Sequence, residues 1–181
     1  YLAQQPGGLT DAEFSIDPNL SKRSRNWFEV GWDLTAMEWN YRISSKLKLN
    51  NRSFLLSANR YAVGNLENIS LEDNIEVNRN LLKDEYLNFG NELRAVFHYD
   101  FFDNKSILVL GNRLYFGKTA REQGDGSNTF ADDFQYVQRD STNYSNYNFP
   151  NKNISFFAEN VFNITKRISL TPGLRYEYIN T

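Results

Sequence analysis

Four arginines and a glutamine, Arg60, Arg79, Arg113, Arg121 and Gln123, carry the chemistry best suited to holding a ligand in this chain. A guanidinium keeps its charge and presents a planar fork that matches a carboxylate through two parallel hydrogen bonds. The competing account makes these side chains solvated loop charges or partners in ion pairs, which contribute little at a surface. Glu29, Asp33, Glu92, Arg94, Arg175 and Glu177 recur at alternate positions, a spacing that suits ion pairs between neighbouring strands. His98 is the sole histidine, so it cannot build a multi-histidine metal site.

Other polar groupings are weaker. Gly124-Asp125-Gly126-Ser127-Asn128 and Asp132-Asp133 share a segment, but their spacing departs from the EF-hand pattern. Tyr136, Tyr144, Tyr147 and Phe149 either cover a ligand or pack that segment on itself. Asn68-Ile69-Ser70 is a glycosylation triplet of the kind an asparagine-rich sequence contains by chance. Cysteine is absent, which excludes disulfides, thiolate metal sites and cysteine nucleophiles. No nucleophile with a paired base and no phosphate loop stands out, so neither an enzyme nor a cofactor is expected. With 20 basic and 22 acidic residues the formal charge is −2, and no basic stripe points to nucleic acid.

The elements that must position these groups read as β. Across 181 residues there is no apolar run long enough for a transmembrane helix. The start, Tyr1-Leu2-Ala3-Gln4-Gln5-Pro6, lacks the basic and apolar regions of a signal peptide. That pattern fits a cytosolic protein or a chain that begins mid-protein. Aromatics are abundant, at 11 Tyr, 14 Phe and 3 Trp, yet the mean hydropathy is −0.62. A transmembrane barrel reconciles the two, because only alternate residues of its strands face lipid. A large soluble β-domain reconciles them as well.

Period-two alternation recurs, and helical periodicity is hard to find. The first strand starts near Asn26, with Phe28, Val30, Trp32, Leu34 and Ala36 on one face. After Met37 the apolar phase slips to Trp39 and Tyr41, as a bulge would cause. The second strand, about Lys46 to Tyr61, groups Phe54, Leu56 and Ala58 opposite Asn51, Ser53, Ser57 and Asn59. In the third, Leu87, Phe89, Leu93, Ala95 and Phe97 alternate with Asn88, Gly90, Glu92, Arg94 and His98. The fourth, from about Ser106, sets Leu108, Leu110 and Leu114 against Gly111, Arg113 and Tyr115. The fifth, about Ile154 to Asn163, is apolar on both faces and has no assignable orientation. In the sixth, Pro172 lacks a ladder donor and marks a bulge or local edge.

Links near Ser44, Asp103 and Lys166 are short, whereas those at Ala62–Glu85 and Lys118–Asn153 are long. Strict alternation of short and long is the habit of an outer-membrane barrel, with its short periplasmic turns and long extracellular loops. Aromatics near strand ends, Trp27, Trp39, Tyr41, Tyr86, Tyr99, Phe101, Phe102, Tyr176 and Tyr178, suit interfacial girdles. The expected fold is all-β, an antiparallel up-and-down meander of about six strands belonging to a transmembrane barrel.

Four segments carry a resemblance to a known family. Tyr1-Leu2-Ala3-Gln4-Gln5-Pro6-Gly7-Gly8-Leu9-Thr10-Asp11 and Arg25-Asn26-Trp27-Phe28-Glu29-Val30-Gly31-Trp32 resemble TonB-dependent receptors of the ferric dicitrate type. Arg60-Tyr61-Ala62-Val63-Gly64-Asn65 resembles the same group, and Leu170-Thr171-Pro172-Gly173-Leu174-Arg175-Tyr176-Glu177 is similar to a strand pattern broad to the family. The resemblance implies residues 1–181 are an interior section of a barrel of about 22 strands, without its plug and remaining strands. It further implies a bacterial outer-membrane transport receptor for a ferric chelate such as iron(III) dicitrate, energised by the TonB complex through the absent plug. Its partners would be outer-membrane lipid and the iron chelate, and Arg60, Arg79, Arg113, Arg121 and Gln123 would lie at the outer end to meet that anion. A siderophore, cobalamin or a glycan is an alternative cargo. A soluble secreted β-sandwich that binds sugar or protein is the alternative fold.

Overall fold

The computed structural model describes residues 8–68 and 71–181. The element order is α1 (Asp11–Ile16), β1 (Trp27–Arg42), β2 (Leu47–Gly64), β3 (Arg79–Phe101), β4 (Asn104–Gly126), β5 (Ser145–Thr165), β6 (Ile168–Leu170) and β7 (Gly173–Asn180). All seven strands form one sheet in chain order β1-β2-β3-β4-β5-β6, with β7 also paired to β5. A sandwich needs two sheets, and the described residues make one. The expected antiparallel meander is therefore the fold.

Residues cluster into two compact units. One comprises Tyr1–Trp32, Ala58–Tyr86 and Thr119–Asn148, and the other Asp33–Ser57, Leu87–Lys118 and Phe149–Thr181. The first holds the long links and the second the short turns. His98 N donates to Lys46 O at 2.8 Å, and Asn104 Nδ2 to Ile164 O at 3.2 Å, so the three short turns gather at one end.

Strands outrun the expectation from sequence. β3 and β4 are 23 residues each, so the links contract to 65–78 and 127–144. Backbone ladders persist through polar sequence wherever both partners stay in register, and apolar alternation alone misses those extensions. Helix α1, also unexpected, is fixed by its start: Thr10 accepts from Glu13 N while the Glu13 carboxylate accepts from Thr10 N, a capping box. That backbone bond, with the Thr10 hydroxyl and Lys22, holds the Glu13 carboxyl at about 2.

The bulge expected in β1 is absent. Glu38 meets Arg52, Gly31 faces Asn59 and Asn26 faces Gly64, and these pairs keep one constant offset. Phe28, Val30, Trp32, Leu34 and Ala36 hence share their face with Glu38 and Asn40. The phase of apolarity changes along the strand while the backbone does not. In β2, Phe54 lies over Gly90, where a methyl group would overlap its ring. Phe54 therefore occupies the polar face, and Asn51 and Ser53 the apolar one. There Asn91 Nδ2 donates to Asn51 Oδ1 at 3.1 Å and Ser53 Oγ at 2.7 Å, so the amides satisfy one another.

Side-chain contacts also orient β5. Phe157 covers Gly111 on the polar face, and Asn153 donates to Glu177 at 2.6 Å. Ile154, Phe156 and Ala158 then pair on the apolar face with Tyr178, Tyr176 and Leu174. Pro172 interrupts the last strand as expected, separating β6 from β7, and its carbonyl still accepts from Asn160 N at 3.0 Å. The β3–β4 turn falls one residue earlier than expected: Phe102 and Asp103 take φ of 47° and 58°. Positive φ at both corners matches the right-handed twist of the flanking strands.

Candidate functional site

Asp84 organises the first unit. Its side chain is fully buried, and it accepts from Arg121 Nε at 2.6 Å and Nη2 at 3.0 Å and from Arg60 Nη2. Strand geometry makes the meeting possible. Arg60, Asp84 and Arg121 occupy β2, β3 and β4 on one face, and neighbouring strands bring directly opposed side chains about 5 Å apart. Sequence reading placed Asp84 in a link and overlooked it. Because β3 begins at Arg79, the residue lies well inside a strand. A carboxylate in an apolar-flanked segment between two candidate arginines was the available signal.

One carboxylate against two guanidiniums leaves a net positive charge. The Arg60 and Arg121 side chains remain 44% and 40% exposed. Asp84 holds both guanidiniums in place. Gln123 is exposed two residues beyond Arg121, on the same side of β4. Arg113 is exposed on β4 within the second unit, so it is not part of this cluster.

Arg79 is placed differently. Its side chain is fully buried, with Nε donating to Ser127 O at 2.7 Å and Nη1 to Ala131 O at 2.8 Å and Arg25 O at 3.0 Å. Nη2 adds the Ser127 and Thr129 hydroxyls. Arg25, also buried, meets Asp73 Oδ2 at 2.9 Å and the carbonyl of Val77 at 3.0 Å. Arg23 reaches Leu71 O at 2.7 Å and Asn68 O at 2.8 Å. These three cations bind loop carbonyls and shape the long links. Burial alone would raise the Asp73 carboxyl, but Arg25 and the Asn65 amide hold it below its ordinary value.

Aromatic rings line the opposite face of the same unit. Lys83 Nζ lies 5.2 Å from the Tyr61 ring centroid and 5.4 Å from that of Tyr136. Tyr144 meets Tyr136 edge-on at 5.3 Å, and burial pushes the Tyr136 hydroxyl far up. This loop packs its tyrosines on itself and on the strands. Asp133 accepts from Gln135 N at 3.1 Å, and no group of His, Cys, Asp or Glu among the described residues is arranged to hold a metal ion.

No curated protein sequence matches the chain. A solved structure, the ferric citrate transporter FecA in the unliganded form, superposes with a TM-score of 0.71 at 20% sequence identity. The alignment covers 96% of this chain and 24% of that one, so the chain spans about a quarter of its length. At that identity the likeness speaks to fold alone. The sequence itself matches the TonB dependent receptor-like β-barrel family over residues 2–181. The chain belongs to the TonB-dependent receptor-like β-barrel family.

Proposed function

We propose that this chain is an interior section of the barrel of a bacterial outer-membrane receptor that imports an anionic ferric chelate, with iron(III) dicitrate the leading cargo. Transport, not catalysis, is its work, and energy would come from TonB through a plug outside this sequence. The observation that carries the reading is the Arg60–Asp84–Arg121 cluster, positively charged and preset for carboxylates. Gln123 extends it along β4, and Arg113 supplies a further positive charge on that strand. Arg79 contributes by holding the outer loop in place. In this orientation the short turns face the periplasm and the long links face outward.

The test is equilibrium binding of ferric citrate to the purified complete receptor and its Arg121→Ala variant at fixed ionic strength. A charge-assisted hydrogen bond is worth about 1.5–3 kcal/mol, and partial exposure of Arg121 favours the lower end. Affinity should fall about 10-fold. Equal affinities remove Arg121 from the site. Absence of binding by the wild type discards citrate, in favour of a siderophore, cobalamin or a glycan, and leaves the barrel untouched.

A further inference from the structure

The second unit contains a groove of about 490 Å³ whose polar lining is Asn40, Arg42, Lys48, Asn50 and His98, with Tyr41, Leu49 and Val96 beside them. Its position follows from the first hairpin. Ile43 N donates to Leu47 O at 3.0 Å to close the turn, and Asn50 Nδ2 donates to Asn40 Oδ1 at 2.7 Å across the strands. One step nearer the turn, the same register sets Arg42 directly opposite Lys48. Like charges directly opposed on one face of a sheet repel and destabilise the pair.

Nearby carboxylates do not relieve the repulsion. Glu38 is held by Arg52 at 2.8 Å and by Asn50 at 3.0 Å, and Asp100 by Lys105 at 2.6 Å. Glu92 is paired with Arg94. Among the described residues neither Arg42 nor Lys48 takes part in an ion pair. Two juxtaposed cations, an imidazole and a volume suited to a small molecule make a receptacle for negative charge.

We propose that this groove is a carboxylate-binding site, with Arg42 and Lys48 as its charged clamp and His98 as a further hydrogen-bonding partner. The free-ligand reading rests on the function proposed above, in which the receptor's cargo is a carboxylate chelate. Two sources supply the same chemistry, the carboxylates of a free chelator and an Asp or Glu side chain from another segment of the receptor.

Equilibrium dialysis of iron-free labelled citrate against the purified complete receptor separates them. If the groove takes free ligand, Arg42→Gln/Lys48→Gln loses one bound citrate per receptor, while Arg42→Lys/Lys48→Arg retains it. If a protein carboxylate fills it, a water-soluble carbodiimide couples Lys48 of the wild-type receptor to an Asp or Glu elsewhere, identified by peptide mass spectrometry. Either result supports the site, and the cross-link needs no variant that has to fold. Unchanged citrate stoichiometry in the double Gln variant together with no Lys48 cross-link overturns it. Failure of the wild type to bind ferric citrate would refute the cargo assignment alone, since both readouts here are iron-free.

Discussion

Replacing Arg79 with methionine separates a loop anchor from a ligand contact. Methionine keeps much of the side chain's volume but removes every donor. Three backbone carbonyls, those of Ser127, Ala131 and Arg25, then lose partners at 2.7, 2.8 and 3.0 Å. Each unsatisfied acceptor costs about 1–3 kcal/mol. The figures do not add, because the displaced loop admits water and a buried cation of unfavourable solvation is removed. A net loss of about 3 kcal/mol in local stability is reasonable on that balance. At about 1.4 kcal/mol per decade, it lowers amide protection across residues 127–131 by roughly 100-fold. The assay is hydrogen exchange on the complete, folded receptor, read by mass spectrometry at several labelling times. Arg79→Lys, with three donors on a point charge, should fall between the two. Unchanged protection in Arg79→Met with weakened cargo binding would refute the anchor and return Arg79 to the ligand site.

Three more outcomes are expected. Acid should loosen the 65–78 link: Arg25 lowers the folded-state value of Asp73, so its stabilisation is full above the ordinary carboxylate range and lost as pH falls through the depressed value. Proteolysis of that link should accelerate below about pH 4, and Asp73→Asn should remove the dependence. Gly90→Ala should weaken assembly by about 1–3 kcal/mol through overlap with Phe54, and Phe54→Ala in the same chain should recover part of it, judged by heat-modifiable migration. Leu93→Arg, which sets a charge on the apolar face, should cost about 2–4 kcal/mol and reduce outer-membrane assembly, and wild-type assembly would reverse the facing of β3.

Strand existence, chain order and turn positions were legible because alternation and Asp, Asn and Pro punctuation act locally. Facing was less so. Phe54 and the run from Phe28 to Leu34 are apolar yet lie on the face that carries Arg52 and Glu38, and for Phe54 the notch at Gly90 gives its ring a place there. Arg60 and Arg121 were legible as carboxylate binders by type, but their convergence depends on register across three strands. Arg23, Arg25 and Arg79 act on backbone carbonyls, which every residue carries, so nothing in the sequence distinguishes their partners.

The two-residue turn at Phe102–Asp103 has a consequence for how the sheet is made. β3 and β4 are the longest strands and are joined by a two-residue corner, so their pairing starts by closing a very small loop and can zip outward from it. The corner itself carries strain, because a phenylalanine holds a left-handed conformation that its Cβ disfavours. Phe102→Asn should therefore relieve that strain and stabilise the finished sheet by about 1 kcal/mol, read as a higher denaturation midpoint of the complete receptor.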